Sequence, residues 1–315
     1  MTCIARWRRL FSQLFPKGIV FRSHLAGRVR WSGVKRLPGS TSDNPGRLAA
    51  DLVVFFLTAY AVSWLFWGCG ILFHLSFARG QSWGLANWLF YFAGIQGPFL
   101  AGIALSWARG RTRAVRSFLG RIVRPPFNSI WLFIAIAIVP LIMLAALGLA
   151  VALDHATIPY PLLVCPSMGW SRLLVGQLLI MNGEEYGWRG YALPQMEKLG
   201  GTLGSSLLLG VLWSLWHVPL FYATGSWKRG SLWPYVAIMI ATCVVQAAIF
   251  FRANQSVLPA MLFHGSLNVS EFVLHLPATS KRYLPWIWAV ALLLAIALLP
   301  KPLFRLPVRQ TGRND

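Results

Sequence analysis

Two adjacent carboxylates and an arginine lie at the end of a long apolar segment. Glu184, Glu185 and Arg189 follow an apolar stretch that begins near Leu173. Charged groups inside a bilayer are costly, so they mark functional sites by default. Glu185 and Arg189 are four residues apart and share one helix face, where they can pair, whereas Glu184 points about 100° away. One acid can therefore act as a base while the other orients a ligand or stabilises the structure.

Two later apolar segments each carry a histidine. His217 lies in an aromatic segment that includes Trp213, and Pro219 is expected to bend or end the helix just beyond it. His264 and Asn268 are four residues apart and share a helix face. A glutamate can take a proton from water, a histidine can stabilise or pass charge, and an asparagine can donate to an oxyanion. Together these residues predict the addition of water to a carbonyl group within the membrane.

Each of these groups also has a structural interpretation. A buried histidine between aromatic residues is often a packing residue, and Glu185 with Arg189 can be a structural ion pair. Asn268 can tie two helices together, as small polar side chains do in membranes. The nearby aromatic residues are interpreted as packing or interface anchors; they are Tyr186, Trp188, Trp213 and Trp216. The functional interpretation depends on finding all three sets of polar residues together at membrane depth.

The composition is that of a polytopic membrane protein. Of the 315 residues, 57% are hydrophobic and only 12% are charged, whereas about a quarter of the residues in soluble domains are charged. The formal net charge of +21 suits either a nucleic acid or an anionic membrane surface. The hydropathy decides for the membrane, so no nucleic-acid partner is expected. The cysteines form no C-x-x-C pair and predict no cysteine-based metal site.

We predict an all-α fold with about eight transmembrane helices, each near the ~20 residues that one span requires. The predicted helices lie at about 52–74, 85–107, 130–152, 171–191, 203–222, 235–251, 256–275 and 284–299. The chain then divides into a basic N-terminal tail at 1–50, a transmembrane domain at 51–300 and a basic C-terminal tail at 301–315. The N-terminal tail is interpreted as a cytoplasmic tail or a start site placed too far upstream, and a transit peptide is the alternative.

The charges of the loops orient this bundle. Basic residues cluster between the second and third predicted helices; they are Arg109, Arg111, Arg113, Arg116, Arg121 and Arg124. Positive loops stay in the cytoplasm, and an even number of spans leaves both basic tails on that side. Both termini are therefore predicted to be cytoplasmic.

Three motifs, taken in order, resemble those of the CPBP family, the CAAX prenyl protease and bacteriocin-processing proteins also called the ABI or type II CAAX protease family. They are Glu184-Glu185-x-x-x-Arg189, Trp213-x-x-x-His217 and His264-x-x-x-Asn268. The resemblance covers residues 170–275, and Trp213 stands where the family usually has Phe. It implies about eight transmembrane helices around a conical cavity open to the cytoplasm and the lipid. It also implies a catalytic site formed by Glu184, Glu185, Arg189, His217, His264 and Asn268.

The resemblance further implies an intramembrane endopeptidase whose membrane-anchored substrate is prenylated in some family members. One glutamate, with a histidine beside it, activates a water, and His264 and Asn268 hold that water or the oxyanion. Family members are commonly called metalloproteases, and Glu185, His217 and His264 could bind zinc or another divalent metal with one open position. A desolvated glutamate could equally act as the base without metal. The zinc signature H-E-x-x-H is absent.

Two interpretations of other classes stay open. One is a non-catalytic bacteriocin-immunity or partner-binding membrane protein of the same fold, which the complete motif set disfavours. The other is a transporter or proton relay, for which the remaining helices supply only scattered polar residues such as Gln96, Gln177 and Gln246. The expected partners are membrane lipid and a membrane-anchored peptide or protein, and the expected location is the bacterial plasma membrane. Neither the substrate nor the oligomeric state follows from the sequence.

Overall fold

The computed structural model describes residues 44–77, 83–124, 128–165, 169–224 and 232–305, and most of these residues are helical. Within these ranges the extended pairing is limited to an isolated bridge between Leu163 and Leu274. The predicted all-α class is therefore confirmed. Most of the predicted N-terminal tail at 1–50 and C-terminal tail at 301–315 lies outside the described residues.

Helices account for nearly all of the bundle. The first five along the chain are α1 (Pro45–Leu72), α2 (Leu85–Ile95), α3 (Gly97–Leu119), α4 (Ile130–Asp154) and α5 (Trp170–Glu185). A π-helix at Tyr186–Ala192 continues α5 directly into α6 (Leu193–Trp216). The remaining helices are α7 (Val218–Ala223), α8 (Leu232–Arg252), α9 (Val257–Val273), α10 (Ala278–Lys281) and α11 (Leu284–Leu298).

Each of the eight predicted segments is largely helical in the structure. Fewer than eight of the described helices, however, are long and apolar enough to cross a membrane. In the described ranges, five helices can cross a membrane, or six if the pair α2 and α3, bent by 43°, is one span. The predicted fourth and fifth spans lie in one helical stretch of 47 residues, Trp170–Trp216, which includes the π-helix and a kink at Gly201. The helix α9 has only 17 residues. The polytopic helical bundle is thus confirmed, and the count of about eight stays a prediction.

A kink at Gly201 divides the long helix near the point where the sequence predicts a boundary between two spans. Gly201 has φ 72° and ψ 176°, a conformation that glycine adopts readily and other residues avoid. A Cβ at this position would lie 2.7 Å from the backbone of Phe304. The chain that follows α11 therefore packs into the kink, where Thr202 Oγ1 donates to the carbonyl of Pro300 at 2.6 Å.

The interior of the bundle holds charged groups, and its surface is apolar. Large hydrophobic side chains such as Leu57, Leu65 and Leu141 are more than half exposed, whereas Glu185 and Arg189 are completely buried. A soluble protein places these residue types the other way round. The arrangement is the one expected when lipid surrounds the bundle.

Close packing against the bend between α2 and α3 fixes the segment that carries the two glutamates. A Cβ on Gly187 would lie 2.4 Å from the side chain of Pro98, and a Cβ on Gly183 would lie 2.6 Å from the carbonyl oxygen of Ile95. Only glycine leaves room for these contacts. Because both glutamates lie between these two glycines, they are held in the middle of the bundle.

Candidate active site

Glu185 is the centre of a buried cluster of charged and polar groups. Arg189 Nη1 donates to Glu185 Oε1 at 3.1 Å and lies 3.1 Å from Oε2. His264 Nδ1 lies 2.8 Å from the same Oε1. Because an ionised carboxylate only accepts hydrogen bonds, the His264 proton in this contact is on Nδ1, which leaves Nε2 for a ligand. The guanidinium and the imidazole together compensate the burial of this carboxylate.

Glu184 points to a different partner on α6. Its side chain is 3% exposed, and its Oε2 accepts a hydrogen bond from Trp213 Nε1 at 2.7 Å. The same indole ring lies under the guanidinium of Arg189, with 4.4 Å between Cζ and the ring centroid. It also meets the ring of His264 edge to face at 5.5 Å. Trp213 therefore contacts a residue from each of the other two motifs.

From the sequence, Trp213 is interpreted only as a packing or interface residue, because a tryptophan in an apolar helix usually has that role. The contact of Trp213 with the polar cluster was therefore missed. Two signals could have identified it. A buried indole needs an acceptor for its N–H group, and acceptors are scarce in an apolar bundle with few acids. Trp213 also precedes His217 by four residues, so that one helix face carries both side chains.

His217 lies half-buried at the C-terminal end of α6, and Pro219 lies in the first turn of α7. The helix thus ends beside Pro219, as the sequence predicts. Its Nδ1 is 2.8 Å from the carbonyl oxygen of Trp213. Since a carbonyl only accepts, Nδ1 carries the proton and Nε2 is left as an acceptor. Its ring contacts Trp213 at 5.8 Å, Trp216 at 4.7 Å and Tyr235 at 6.3 Å between centroids. Its link to the two glutamates runs through Trp213.

Asn268 lies one turn beyond His264 on α9 and contacts α5. Its Nδ2 donates to Gln177 Oε1 at 2.8 Å. This contact ties the two helices together, as the structural interpretation of Asn268 expects. An amide nitrogen carries two hydrogens, so one of them is left for a second acceptor. Gln177, which the sequence offers only as a scattered polar residue, thus belongs to the surroundings of the site.

A π-helix positions Arg189, which explains how an arginine can be held inside the bundle. All seven residues of this helix are buried, and π-helices are frequent at functional sites. The carbonyl of Gly190 accepts a hydrogen bond from Arg121 Nη1 at 2.6 Å, and the Tyr186 hydroxyl donates to the carbonyl of Leu119 at 3.2 Å. Both contacts fix the π-helix to the end of α3 and the turn after it.

The three residues predicted as metal ligands do not form one ligand set in this arrangement. Among the described residues, no three His, Cys, Asp or Glu side chains are grouped so that they could hold an ion. Glu185 is held by Arg189 and by His264 Nδ1. Both histidines, however, use Nδ1 for a hydrogen bond and leave Nε2, which is the pattern of zinc-binding histidines. The donor types fit zinc while their grouping does not, so the metal stays a prediction.

The fold and this cluster define a polytopic membrane protein with an acid, histidine and arginine site inside its helical bundle. Residues 166–270, which include all three motifs, match the family model described as type II CAAX prenyl endopeptidase Rce1-like. The CAAX prenyl protease 2 of Methanococcus maripaludis is 24% identical to this chain over 242 residues, which cover 72% of the chain and 86% of that protein. Both matches support the CPBP family of type II CAAX proteases for this chain.

These matches confirm the resemblance seen in the motifs and support a protease, a hydrolase that acts within the membrane. The family match and the apolar helices also indicate an integral membrane protein. The conical cavity, the plasma membrane location and the cytoplasmic termini stay predictions.

Proposed function

We propose that the protein is an intramembrane endopeptidase that cleaves a membrane-anchored substrate close to a prenylated cysteine. The observation that carries this proposal is the buried cluster in which Glu185 joins Arg189 to His264 beside a second acid, Glu184. Burying charged groups in a membrane costs free energy, so a charged cluster at this depth marks a functional site by default. The name of the matched relative, a CAAX prenyl protease, supports the choice of substrate.

We assign the role of general base to Glu184. Glu185 has an arginine and a histidine on its carboxylate, whereas the partner of Glu184 is the neutral indole of Trp213 through Oε2. A carboxylate paired with a guanidinium is a weaker base than one that is not. Glu184 is therefore the better acceptor for a proton from water, and Glu185 is a positioning residue that fixes the orientation and tautomer of His264.

The proposed reaction is the hydrolysis of one peptide bond. Glu184 takes a proton from water, and the water oxygen forms a bond with the carbonyl carbon of the substrate. His264, when protonated, donates through Nε2 to the developing oxyanion, and Asn268 donates through its second amide hydrogen. The tetrahedral species then collapses, the C–N bond breaks, and Glu184 returns its proton to the leaving amine. His217 presents Nε2 as an acceptor that helps to orient the water.

Zinc or another divalent ion is a further proposal for this site. His217 and His264 would hold it through Nε2 together with a glutamate, and it would supply a Lewis acid for the carbonyl oxygen. His264 cannot bind an ion and donate to the oxyanion through the same Nε2 atom, so the ion would replace that role of His264. The steps assigned to the side chains above do not require the ion.

We also propose a location for the protein and an orientation in the membrane. The basic residues in the C-terminal half of α3 and in the turn after it, together with the basic tails, favour cytoplasmic termini in a bacterial plasma membrane.

The proposed function predicts cleavage of a farnesylated peptide by the purified, detergent-solubilised protein. The same peptide without the farnesyl group is the matched substrate, and it should be cleaved at least about tenfold more slowly, because buried prenyl carbons add binding free energy. Mass spectrometry of the products gives the cleaved bond. No cleavage of either peptide by well-folded protein would favour the non-catalytic immunity or partner-binding alternative, and equal cleavage of both would contradict the prenylated substrate.

A second prediction concerns Trp213. The substitution Trp213→Phe keeps an aromatic ring beside Arg189 and removes the N–H group that binds Glu184. We expect kcat to fall about ten- to hundredfold, because a hydrogen bond to a charged group contributes roughly 1.5–3 kcal/mol and this one orients the base. KM should change little, and steady-state kinetics separates the two. An unchanged kcat in a folded Trp213→Phe protein would show that this hydrogen bond does not orient Glu184.

A further inference from the structure

An apolar groove lies between α4, α8 and α11, apart from the glutamate and histidine cluster. Its volume is about 330 Å³, and hydrophobic side chains line it. Trp131 and Ile138 of α4, Val245 of α8, and Ala291 and Leu298 of α11 represent its three walls. None of the catalytic candidates lines it. The groove is therefore a separate site, and its contents do not follow from the proposed protease activity.

The groove opens to the surroundings of the bundle along its length. Leu141, Val290 and Leu294 line it and are each more than half exposed. In a protein surrounded by lipid, side chains exposed in this way face hydrocarbon. A hydrocarbon chain can therefore enter the groove directly from the membrane.

The length and direction of the groove match one leaflet of the bilayer. Along α11 the lining runs from Ile287 to Leu298, about 16 Å at the rise of an α-helix. This is close to half of the ~30 Å hydrocarbon thickness of a membrane. The groove also follows the helix axes, so an extended chain inside it would run along the membrane normal.

A basic side chain marks one end of the groove. Leu298 and Trp131, at the end of α11 and the beginning of α4, line the groove there. Arg252, the last residue of α8, is exposed and donates through Nε to the carbonyl of Leu298. Lys301 is also exposed and follows Leu298 by three residues. Tryptophan and arginine at a helix end are typical of the level of the lipid headgroups.

We propose that this groove binds one acyl chain of an anionic phospholipid and that Arg252 contacts the phosphate of the headgroup. The apolar lining recognises the chain, the length of the groove selects a chain that ends within one leaflet, and the positive charge selects an anionic headgroup. The lipid thereby fills the space between α4 and α11 on the side of the bundle that the active-site residues do not line.

Photocrosslinking of the wild-type protein tests this proposal. The protein is placed in phosphatidylcholine nanodiscs that contain a minor fraction of phosphatidylglycerol with a diazirine in its acyl chain, and labelled peptides are mapped by mass spectrometry. We expect the label on α4 and α11 residues of the groove. Unlabelled phosphatidylglycerol should compete roughly fivefold better than phosphatidylcholine, as expected for one basic contact near the membrane surface. A label spread over all exposed apolar residues in proportion to their exposure would overturn the proposal.

Matched variants test the acyl-chain groove and the headgroup contact of Arg252 separately. Ala291→Phe fills the groove, whereas Leu293→Phe adds the same ring on a residue of α11 that is 67% exposed and outside the lining. Only the first should lose groove labelling. Arg252→Gln should keep the labelling and lose the preference for phosphatidylglycerol, and Arg172→Gln, an exposed arginine of α5, should lose neither. Equal labelling of the two α11 variants, or better competition by a farnesylated peptide than by phosphatidylglycerol, would overturn the assignment.

Discussion

Replacing Glu184 with glutamine is expected to lower kcat for peptide cleavage by about a thousandfold while the protein still folds. Glutamine keeps the shape of the side chain and its carbonyl oxygen can still accept from Trp213 Nε1, but it cannot take a proton from water. General-base catalysis contributes roughly 10²–10⁴-fold to a rate. Steady-state cleavage of the farnesylated peptide, with folding checked by gel filtration and thermal unfolding, measures the effect.

Two further variants serve as a control and as a comparison for Glu184→Gln. Glu197→Gln changes a partly exposed glutamate that pairs with Arg305, so it should leave cleavage within about twofold of the wild-type rate. Glu185→Gln should lower both activity and stability, because it removes the partner of Arg189 and of His264 at once. Cleavage by Glu184→Gln within tenfold of the wild-type rate would remove Glu184 as the base. Retained cleavage in both glutamate variants would contradict the whole mechanism.

The pairing of the acids supports this division of roles. Among the described residues, arginines form ion pairs with Asp51, Asp154, Glu185 and Glu197. Glu184 is instead bound by an indole N–H group. Of the 8 acidic residues of the chain, Glu184 is thus one whose described side-chain hydrogen bond comes from a neutral group. A general base must be free to accept a proton, and Glu184 meets that requirement better than the paired acids.

The class of fold and the proximity of the main polar groups could be predicted from sequence, because both follow from local rules. Apolar segments of membrane length must be helical, since backbone groups have no water to bind in lipid. A spacing of four residues brought Glu185 and Arg189 together even though a π-helix, not an α-helix, carries the arginine. The contact of His264 with Glu185 was expected only as a consequence of the family resemblance and of a shared interior.

Other features depend on contacts between distant segments, which no local pattern contains. If a helix begins near residue 203, as the sequence predicts, His217 is expected to lie deeper in the membrane than Glu185. In the structure α6 begins at Leu193 and is kinked at Gly201, and Trp213 contacts Glu184 and the ring of His217. The kink needs the backbone after α11 as its partner, so only the folded chain shows how the two motifs meet.

Replacing Arg189 with methionine is expected to destabilise the protein by about 3–5 kcal/mol, because it breaks a buried ion pair and leaves only the imidazole of His264 on the carboxylate of Glu185. Both side chains are completely buried, so water cannot replace the guanidinium. Arg189 also covers the indole of Trp213 and contacts Cys243 Sγ at 3.6 Å, and methionine retains part of this packing. Equilibrium unfolding of the detergent-solubilised protein measures the free energy difference.

The double variant Glu185→Gln, Arg189→Met distinguishes the lost charge pair from lost packing. If the buried charge is the cause, removing the carboxylate as well should recover part of the lost stability, since a buried pair replaced on both sides costs less than one broken on one side. Arg305→Met, which breaks the partly exposed pair with Glu197, should cost no more than about 1 kcal/mol. A double variant as unstable as Arg189→Met would show that Arg189 stabilises the bundle by packing, and Glu185 would then not need its countercharge to remain buried.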